Sequence, residues 1–401
     1  MGDLTLAGAL WHMREGFDLL VRALGGDGEA RLVGGAVRDT LLGLPVVDLD
    51  LATVHAPESV VERVREAGFK AVPTGMAHGT ITAVLPSGPV EVTTLRRDVS
   101  TDGRHATVAF TDDWRADAGR RDFTINALYA EPSSGRLHDW FGGLDDLAAR
   151  RVRFIGDPLV RIAEDHLRIL RFFRFLARFG DTPDVDGLAA CTARARDLMA
   201  LSRERIADEL RKLLVARDAP RIVALMHAHG IFAPVLPEID DAGVARLAAL
   251  AAREAAAGIA PDAMRRLAAL LPADAAINEA VGARLKLSNS ERKRLASAIQ
   301  PPASEGAAAL AYRIGIEGAI DRLLLAGGDP AVLAGFVVPR LDIGGGMLVE
   351  KGVRRGPDVA RLLRRIEDQW IAEGFPDRAR QAEIADALVA HWLNEESSRS
   401  A

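Results

Sequence analysis

Two aspartates one residue apart, Asp48 and Asp50, close a stretch that opens on a glycine pair: residues 32–51 read LVGGAVRDTLLGLPVVDLDL. Along a strand alternate side chains share a face, so Asp48 and Asp50 project together while Leu49 and Leu51 project the other way, toward a core. Neighbouring carboxylates repel unless a cation lies between them, and hard oxygen donors at this charge density favour Mg2+. Upstream, Gly34 and Gly35 precede a helical stretch. Glycines there let backbone N–H groups approach a phosphate at a helix N-terminus, and Arg38, one turn in, reaches the same anion. Together these residues describe a cradle for a metal and a triphosphate. A Walker A loop is excluded because no Lys-Ser/Thr follows the glycines, and GGAVRD is not the GxGxxG of a dinucleotide fold. By residue type alone, a strand with two solvated acids gives the same aspartate pair; the glycines and Arg38 at this distance tip the reading toward chemistry. Glu91, in the β-branched run EVTTL, is a candidate third metal carboxylate if its strand pairs near the aspartates, and otherwise an exposed strand acid.

Two further constellations carry polar groups at helical spacing. In residues 120–129, RRDFTINALY, Asp122 and Asn126 stand four apart and are expected on one helical face. A carboxylate there accepts from a ribose hydroxyl, an amide both donates and accepts, and Arg120 and Arg121 can pair with phosphate. A helix simply capped by Asp122 is the plainer alternative. In residues 156–179, GDPLVRIAEDHLRILRFFRFLARF, a helix is expected from Asp157 or Pro158, with Ile162, Ile169, Leu170, Phe173 and Leu176 on its apolar stripe. Its polar stripe holds Arg161, Glu164, Asp165, Arg168 and Arg171. Cytosine and adenine both offer an exocyclic amine beside a ring-nitrogen acceptor; uracil and guanine offer the reverse order. An aspartate taking the amine and an arginine giving to the ring nitrogen would admit C and A and reject U and G. Each mismatched polar group costs about 1–3 kcal/mol. A salt-bridged surface helix explains the same stripe without a ligand.

GGAVRD followed by DLD resembles the nucleotidyltransferase superfamily that shares the DNA polymerase β-like head, and within it the class II tRNA nucleotidyltransferases and bacterial poly(A) polymerases. RRDFTINA is similar to that family's ribose-reading motif, which implies roles for Arg121, Asp122 and Asn126 in selecting ribonucleotides. EDHLR resembles its ED-x-x-R base-reading motif, which implies base recognition by Asp165 and Arg168, with Glu164 and Arg171 alongside. SRERIADEL resembles a helix bracing the neck, which implies structural support from Glu204, Arg205 and Glu209, with Ser202 as helix cap. Residues 96–119, with STDGRHA at 100–106, resemble the flexible loop of CCA-adding enzymes more than that of poly(A) polymerases. The resemblance spans residues 32–214 and implies CCA addition to tRNA. A 3′-hydroxyl would attack the α-phosphate of CTP or ATP with two Mg2+ ions held by Asp48 and Asp50, and Gly34, Gly35 and Arg38 on the phosphates. Poly(A) addition, partial CC or A addition, and non-catalytic RNA binding are the rival readings.

The elements that must position these residues differ between the two parts of the chain. Up to about residue 155 short β-branched runs alternate with helical patches: a helix at 6–24, strands at 30–33 and 46–51, a helix at 56–67, and a hairpin from strands at 80–85 and 90–95. The expected class is an α+β head with a small, mostly antiparallel sheet. From Asp157 onward Ala, Leu, Arg and Glu recur at 3.6-residue spacing, which predicts an all-α remainder. The expected division is a catalytic head at 1–150, a base-recognition neck at 151–215 and a tRNA-binding body and tail at 216–401, the polar tail from Asn394 frayed.

Composition bounds the rest. With 401 residues, 49% of them hydrophobic, the chain has material for more than one core, which excludes wholesale disorder. A net charge of −5 excludes a bulk polycation, so tRNA binding must use local basic surfaces, for which the clusters at 171–178, 203–212, 286–294 and 351–365 are candidates. The single cysteine, Cys191, excludes an internal disulfide and any cysteine zinc site. No signal peptide or charge-free span of 18 residues is visible, so a cytoplasmic protein with no membrane or protein partner is expected. His138-Asp139 resembles a phosphohydrolase pair but lacks companion histidines, and Gly344 to Gly346 with Lys351 has the wrong spacing for a phosphate loop.

Overall fold

The computed structural model describes residues 6, 10–46, 48–101, 106–301 and 305–400, arranged as two compact units, Met1–Pro237 and Glu238–Ala401. The first unit opens with a 3-10 turn, Leu10–Met13, then α1 (Phe17–Ala23). The single helix expected over 6–24 is therefore wrong: Gly16 adopts φ 87°, a left-handed conformation that breaks the run. Next come β1 (Ala30–Val33), α2 (Gly35–Leu41), β2 (Leu49–Thr53), α3 (Pro57–Glu66), β3 (Lys70–Gly75), β4 (Thr80–Leu85) and β5 (Gly88–Thr94). The expected strand at 46–51 starts later, so Asp48 stands just ahead of β2 rather than within it.

By its polar sequence the stretch at 96–119 reads as a mobile loop. Instead it forms a two-stranded arm, β6 (Arg96–Thr101) and β7 (Ala106–Phe110), followed by α4 (Trp114–Gly119). Asp113 caps α4 by accepting from the N–H groups of Arg115 and Ala116. Residues 102–105 of the STDGRHA segment lie outside the described residues. After α4 come β8 (Tyr129–Ala130), β9 (Leu137–His138) and α5 (Gly143–Ala148). Among the described residues the main sheet has the order β3-β4-β5-β2-β1-β8-β9, and every pairing is antiparallel except β2 with β5. Leu49 and Leu51 are buried as the alternation requires.

Five helices follow in the first unit: α6 (Pro158–Glu164), α7 (Arg168–Phe179), α8 (Val185–Ala193), α9 (Arg203–Leu214) and α10 (Ala219–Ala228). The single helix expected from Asp157 to Phe179 is broken at Asp165, which takes φ −151° and ψ 107° between α6 and α7. α7 buries Ile169, Leu170, Phe172, Phe173, Phe175 and Leu176, and Phe123 and Phe154 pack on it, with ring centroids 5.3 Å (Phe123–Phe175) and 5.6 Å (Phe154–Phe172) apart. That aromatic contact ties α7 to the residues that follow α4. Cys191 is buried in α8, where burial raises its thiol pKa.

Among its described residues the second unit holds helices and no strand: α11 (Asp241–Ala256), α12 (Ala263–Leu270), α13 (Ala275–Arg284), α14 (Asn289–Ala298), α15 (Ala307–Ala326), α16 (Gly345–Glu350), α17 (Pro357–Ala372) and α18 (Arg378–Ser400). The last helix runs through the tail expected to fray. Ser288 and Glu291 form a reciprocal capping box at the start of α14. One core gathers Trp370, Ile366, Leu348 and Ile384. The glycines at 344–346 open α16, and Lys351 pairs with Asp386 at 2.5 Å. No helix of the described residues is long and apolar enough to cross a membrane.

Candidate active site

A cleft of about 960 Å³ in the first unit is lined by nearly all the residues the sequence singles out. Gly34, Gly35 and Arg38 stand on one side, Asp48, Asp50 and Glu91 form its acidic wall, and Asp122, Asn126, Asp165, Arg168 and Arg171 complete it with Arg121. Glu164, Glu204, Arg205 and Glu209 do not line it.

Gly34 has φ 65° and ψ −119°, open only to glycine, and its position lets β1 turn directly into α2. A Cβ on Gly34 would also come within 3.3 Å of the Arg121 guanidinium. Arg38 is 5% exposed, with Nε donating to Asp39 at 2.8 Å and Nη1 donating to the Asn126 side-chain oxygen; its guanidinium lies 4.3 Å from the Phe179 ring centre. It is therefore fixed in one orientation before any ligand arrives.

Parallel pairing of β2 and β5 sets Asp50 in register with Glu91, so the two acids occupy one face of neighbouring strands. Burial, then the charge of Glu91, pushes the Asp50 carboxyl up to about 6; Arg121 opposes this and Asp48 adds to it. Among the described residues no three acidic, histidine or cysteine side chains already converge as a formed metal cluster. The chemistry of the wall nevertheless fits a hard divalent cation: all three donors are carboxylates, and the strain on Asp50 is what a cation would relieve.

Asp122 and Asn126 meet, but not on an α-helix. A 3-10 turn, Thr124–Asn126, follows an extended Phe123, and it brings Asn126 Nδ2 to 2.9 Å from Asp122 Oδ1. Asp122 does not cap a helix; it accepts from the Phe123 N–H at 2.9 Å and from Arg171 Nε at 2.7 Å. Burial works against its ionisation, but Arg171, Asn126 and the Phe123 N–H hold its carboxyl below the ordinary range. The turn is pinned from behind by Thr124 Oγ1, which donates to the buried Asp146 at 2.6 Å.

The break between α6 and α7 decides the geometry of Asp165 and Arg168. Asp165 Oδ1 accepts from the Leu167 N–H at 3.1 Å, and Oδ2 accepts from Arg205 Nη2 at 2.8 Å. Arg168, at the start of α7, donates to the Arg161 carbonyl at 2.8 Å and pairs with Glu164, which also holds Arg161 at 2.6 Å. On α9, Glu209 is 4% exposed and accepts from Arg174 Nε at 2.6 Å. Ser202 precedes α9 without a side-chain cap hydrogen bond.

Several cleft residues escape motif reading. Arg96, Arg174, Phe175 and Lys212 line it as well. Arg174 follows Arg171 by three residues, which on α7 is the same face, so that spacing was a usable signal. Asp117 gave none, because it lies in the stretch expected to be loop. It is 1% exposed and accepts from Arg120 Nε at 2.8 Å, Arg121 Nη2 at 3.4 Å and the Tyr129 hydroxyl at 2.5 Å. It thereby anchors the guanidinium that faces Asp50. Burial pulls the Arg121 pKa down, but Tyr129 and Asp117 hold it above its ordinary value. His138 pairs with Glu131 at 2.9 Å, and Asp139 accepts from the N–H groups of Phe141, Gly143 and Leu144. Both are turn-building groups away from the cleft.

Residues 30–153 match the family described as the poly A polymerase head domain, and residues 184–242 match the one described as the probable RNA and SrmB-binding site of polymerase A. The chain is 34% identical over 378 residues to the mitochondrial CCA tRNA nucleotidyltransferase 1 of Mus musculus, covering 86% of this chain and 84% of the relative. With the Danio rerio protein of the same name it shares 46% over 207 residues, 51% of this chain; the match spans about half (48%) of that relative's length. A crystal structure of the Bacillus stearothermophilus CCA-adding enzyme in complex with CTP superimposes with TM-score 0.76 at 27% identity, over 95% of this chain and 98% of that one.

Proposed function

Because this chain belongs to the CCA-adding tRNA nucleotidyltransferase family, we propose that it adds CMP and AMP, taken from CTP and ATP, to the 3′ end of tRNA. The observation that carries this reading is the single cleft that joins the glycine turn, the acidic wall and the Asp165–Arg168 pair. Residues separated by more than a hundred positions meet there as the parts of a nucleotide-transfer site.

In the reaction, the 3′-hydroxyl oxygen of the RNA bonds to the α-phosphorus of the nucleotide. The bond from that phosphorus to the bridging oxygen of the β-phosphate breaks, pyrophosphate leaves, and the hydroxyl proton is released. Gly34 and Gly35 let the backbone approach the triphosphate, and Arg38 and Arg121 oppose its charge. Asp122 and Asn126 meet the ribose hydroxyls, and Arg171 keeps Asp122 ionised for that task. Asp165 accepts from the amine of C or A while Arg168 donates to the ring nitrogen, and Arg205 and Glu164 keep the two from turning away. Asp48, Asp50 and Glu91 are the residues that would hold Mg2+, two ions by the family's pattern; such cations neutralise phosphate charge and make the hydroxyl more acidic. Orientation within the closed set of hydrogen bonds supplies the rest. The reaction belongs on this reading to the cytoplasm; the mitochondrial designation is that of the vertebrate relatives.

The test is incorporation from each labelled nucleoside triphosphate into an acceptor-stem RNA that ends at the discriminator base, against an unstructured RNA. Addition of C, C and A followed by arrest on the first substrate is expected. Long A tails on the unstructured RNA would assign the chain to poly(A) synthesis instead.

A further inference from the structure

Next to the cleft, in the same unit, lies a second cavity of about 730 Å³ with no acidic residue among the described residues that line it. Its apolar side is made by Leu42, Leu44 and Pro45 after α2, with Phe179, Val215 and Ala216 from the ends of α7 and α9. Leu44 is 38% and Val215 41% exposed, so this aliphatic surface faces solvent. The basic side is made by Arg150, Arg178 and Arg217. Two further cations, Arg174 and Lys212, line both this cavity and the cleft, so the two hollows are contiguous.

The cavity's arginines have carboxylate partners, but too few to neutralise them. Asp181 is shared by Arg150 at 3.6 Å and Arg217 at 3.2 Å. Asp39 is shared by Arg178 at 3.1 Å and Arg38 at 2.7 Å. Each pair of guanidinium groups thus keeps about one positive charge in excess. An aliphatic wall facing a cationic one, in a volume within the roughly 300–1,000 Å³ common for ligand sites, fits one base, its sugar and a phosphate.

We propose that this second cavity takes the nucleotide immediately upstream of the attacking RNA end, its phosphodiester on Arg150, Arg178 and Arg217 and its base on the Leu42–Leu44–Pro45 wall. This rests on the proposed function, because that reading places an RNA 3′ end in the cleft. Continuity through Arg174 and Lys212 favours the RNA strand over a free nucleotide. So does the cavity's own described lining, which holds cations and apolar groups but no carboxylate to carry the metal ions a free triphosphate would bring. Arg174 and Lys212 then guide the strand from one hollow to the other.

The test measures binding, so it does not depend on turnover. An acceptor-stem RNA with a 3′-deoxy end is titrated into the full chain and into Arg150→Gln/Arg217→Gln, both half-exposed positions outside the cleft; Leu44→Asp is a second, independent variant. The RNA dissociation constant is expected to rise about tenfold in the double variant. The slope of log affinity against log salt should fall by about one. The CTP dissociation constant is expected to stay within twofold. A neutral methylphosphonate at the linkage upstream of the end should weaken binding to the unaltered chain and make little difference to the double variant. RNA affinity within twofold of the unaltered chain for both variants would overturn the assignment. So would a second equivalent of CTP that binds the unaltered chain and is lost in the double variant, which would make the source a free nucleotide. A chain that binds RNA as described but transfers no CMP would sink the proposed function and leave this site standing.

Discussion

Asp50 is the residue on which burial and charge collide. Its carboxyl, pushed up to about 6, keeps a proton in the folded state that the unfolded chain has already lost near pH 4. Stability from this group is therefore fully present below the unfolded value and is lost as pH rises through about 6, a difference of roughly 2–3 kcal/mol before solvent screening. A metal-free sample should melt higher at pH 5 than at pH 7.5 on this account, and Mg2+ should stabilise at pH 7.5 far more than at pH 5. Asp50→Asn should flatten both dependences in a thermal melt while lowering transfer at least a thousandfold. An unchanged Mg2+ increment in that variant would remove Asp50 from the metal-binding set. At the same scale, Asp117→Asn keeps the shape but weakens the grip on Arg120, Arg121 and Tyr129. Because Asp117 acts through Arg121, a rise in KM for CTP and ATP is expected, with a smaller change in binding of the RNA end. Equal loss in both would make its role simply structural.

At the scale of elements, two short irregularities matter more than the regular helices beside them. The break between α6 and α7 turns Asp165 out of the helical path while leaving Arg168 in the first turn of α7. Arg205 on α9 then fixes the carboxylate from outside the cleft. Arg205→Ala should thus lower discrimination against UTP and GTP by about tenfold, with modest effect on the maximal rate for CTP, as read by competition between labelled nucleotides. The second irregularity is the 3-10 turn that carries Asn126, on which the first residue of α5 sits. A Cβ on Gly143 would fall 2.3 Å from the Thr124 carbonyl oxygen. Gly143→Ala is expected to destabilise by about 1–3 kcal/mol and to relax the preference for ribo- over deoxyribonucleotides, since it must displace the turn. Normal melting together with intact ribose preference would show that the turn is not held in this way.

For the whole molecule, every described residue that lines the cleft belongs to the first unit, Met1–Pro237. The second unit carries its own buried charge network: Glu254, 1% exposed, pairs with Arg266 at 2.8 Å and Arg265 at 3.4 Å, and Asp321 pairs with Arg265 at 3.2 Å and Arg294 at 2.7 Å. Removing one member leaves buried charge without compensation, so Glu254→Ala should cost about 3–5 kcal/mol. A lowered calorimetric transition is expected with the CTP dissociation constant unchanged within twofold. Loss of CTP affinity would mean that the cleft depends on the integrity of the second unit.

The aspartate pair, the glycine turn, the RRDFTINA and EDHLR segments and the switch from mixed to all-helical character were all legible in the chain, because residue type and local spacing determine them. The alternation that aims Asp50 at the cleft and Leu49 at the core is likewise a property of the strand itself. Where local propensity competes with packing, the sequence misled. A helical pattern at 156–179 conceals the break at Asp165, which distant Arg205 helps to hold, and a polar stretch at 96–119 conceals the anchoring Asp117 and an arm whose strands pair locally without an apolar alternation to announce them. Only the tertiary structure could set Glu91 beside Asp50 across a parallel strand pair, seat Arg205 against Asp165, and open a second basic hollow next to the first. Those contacts join residues 40 or more positions apart, and no local rule of spacing specifies them.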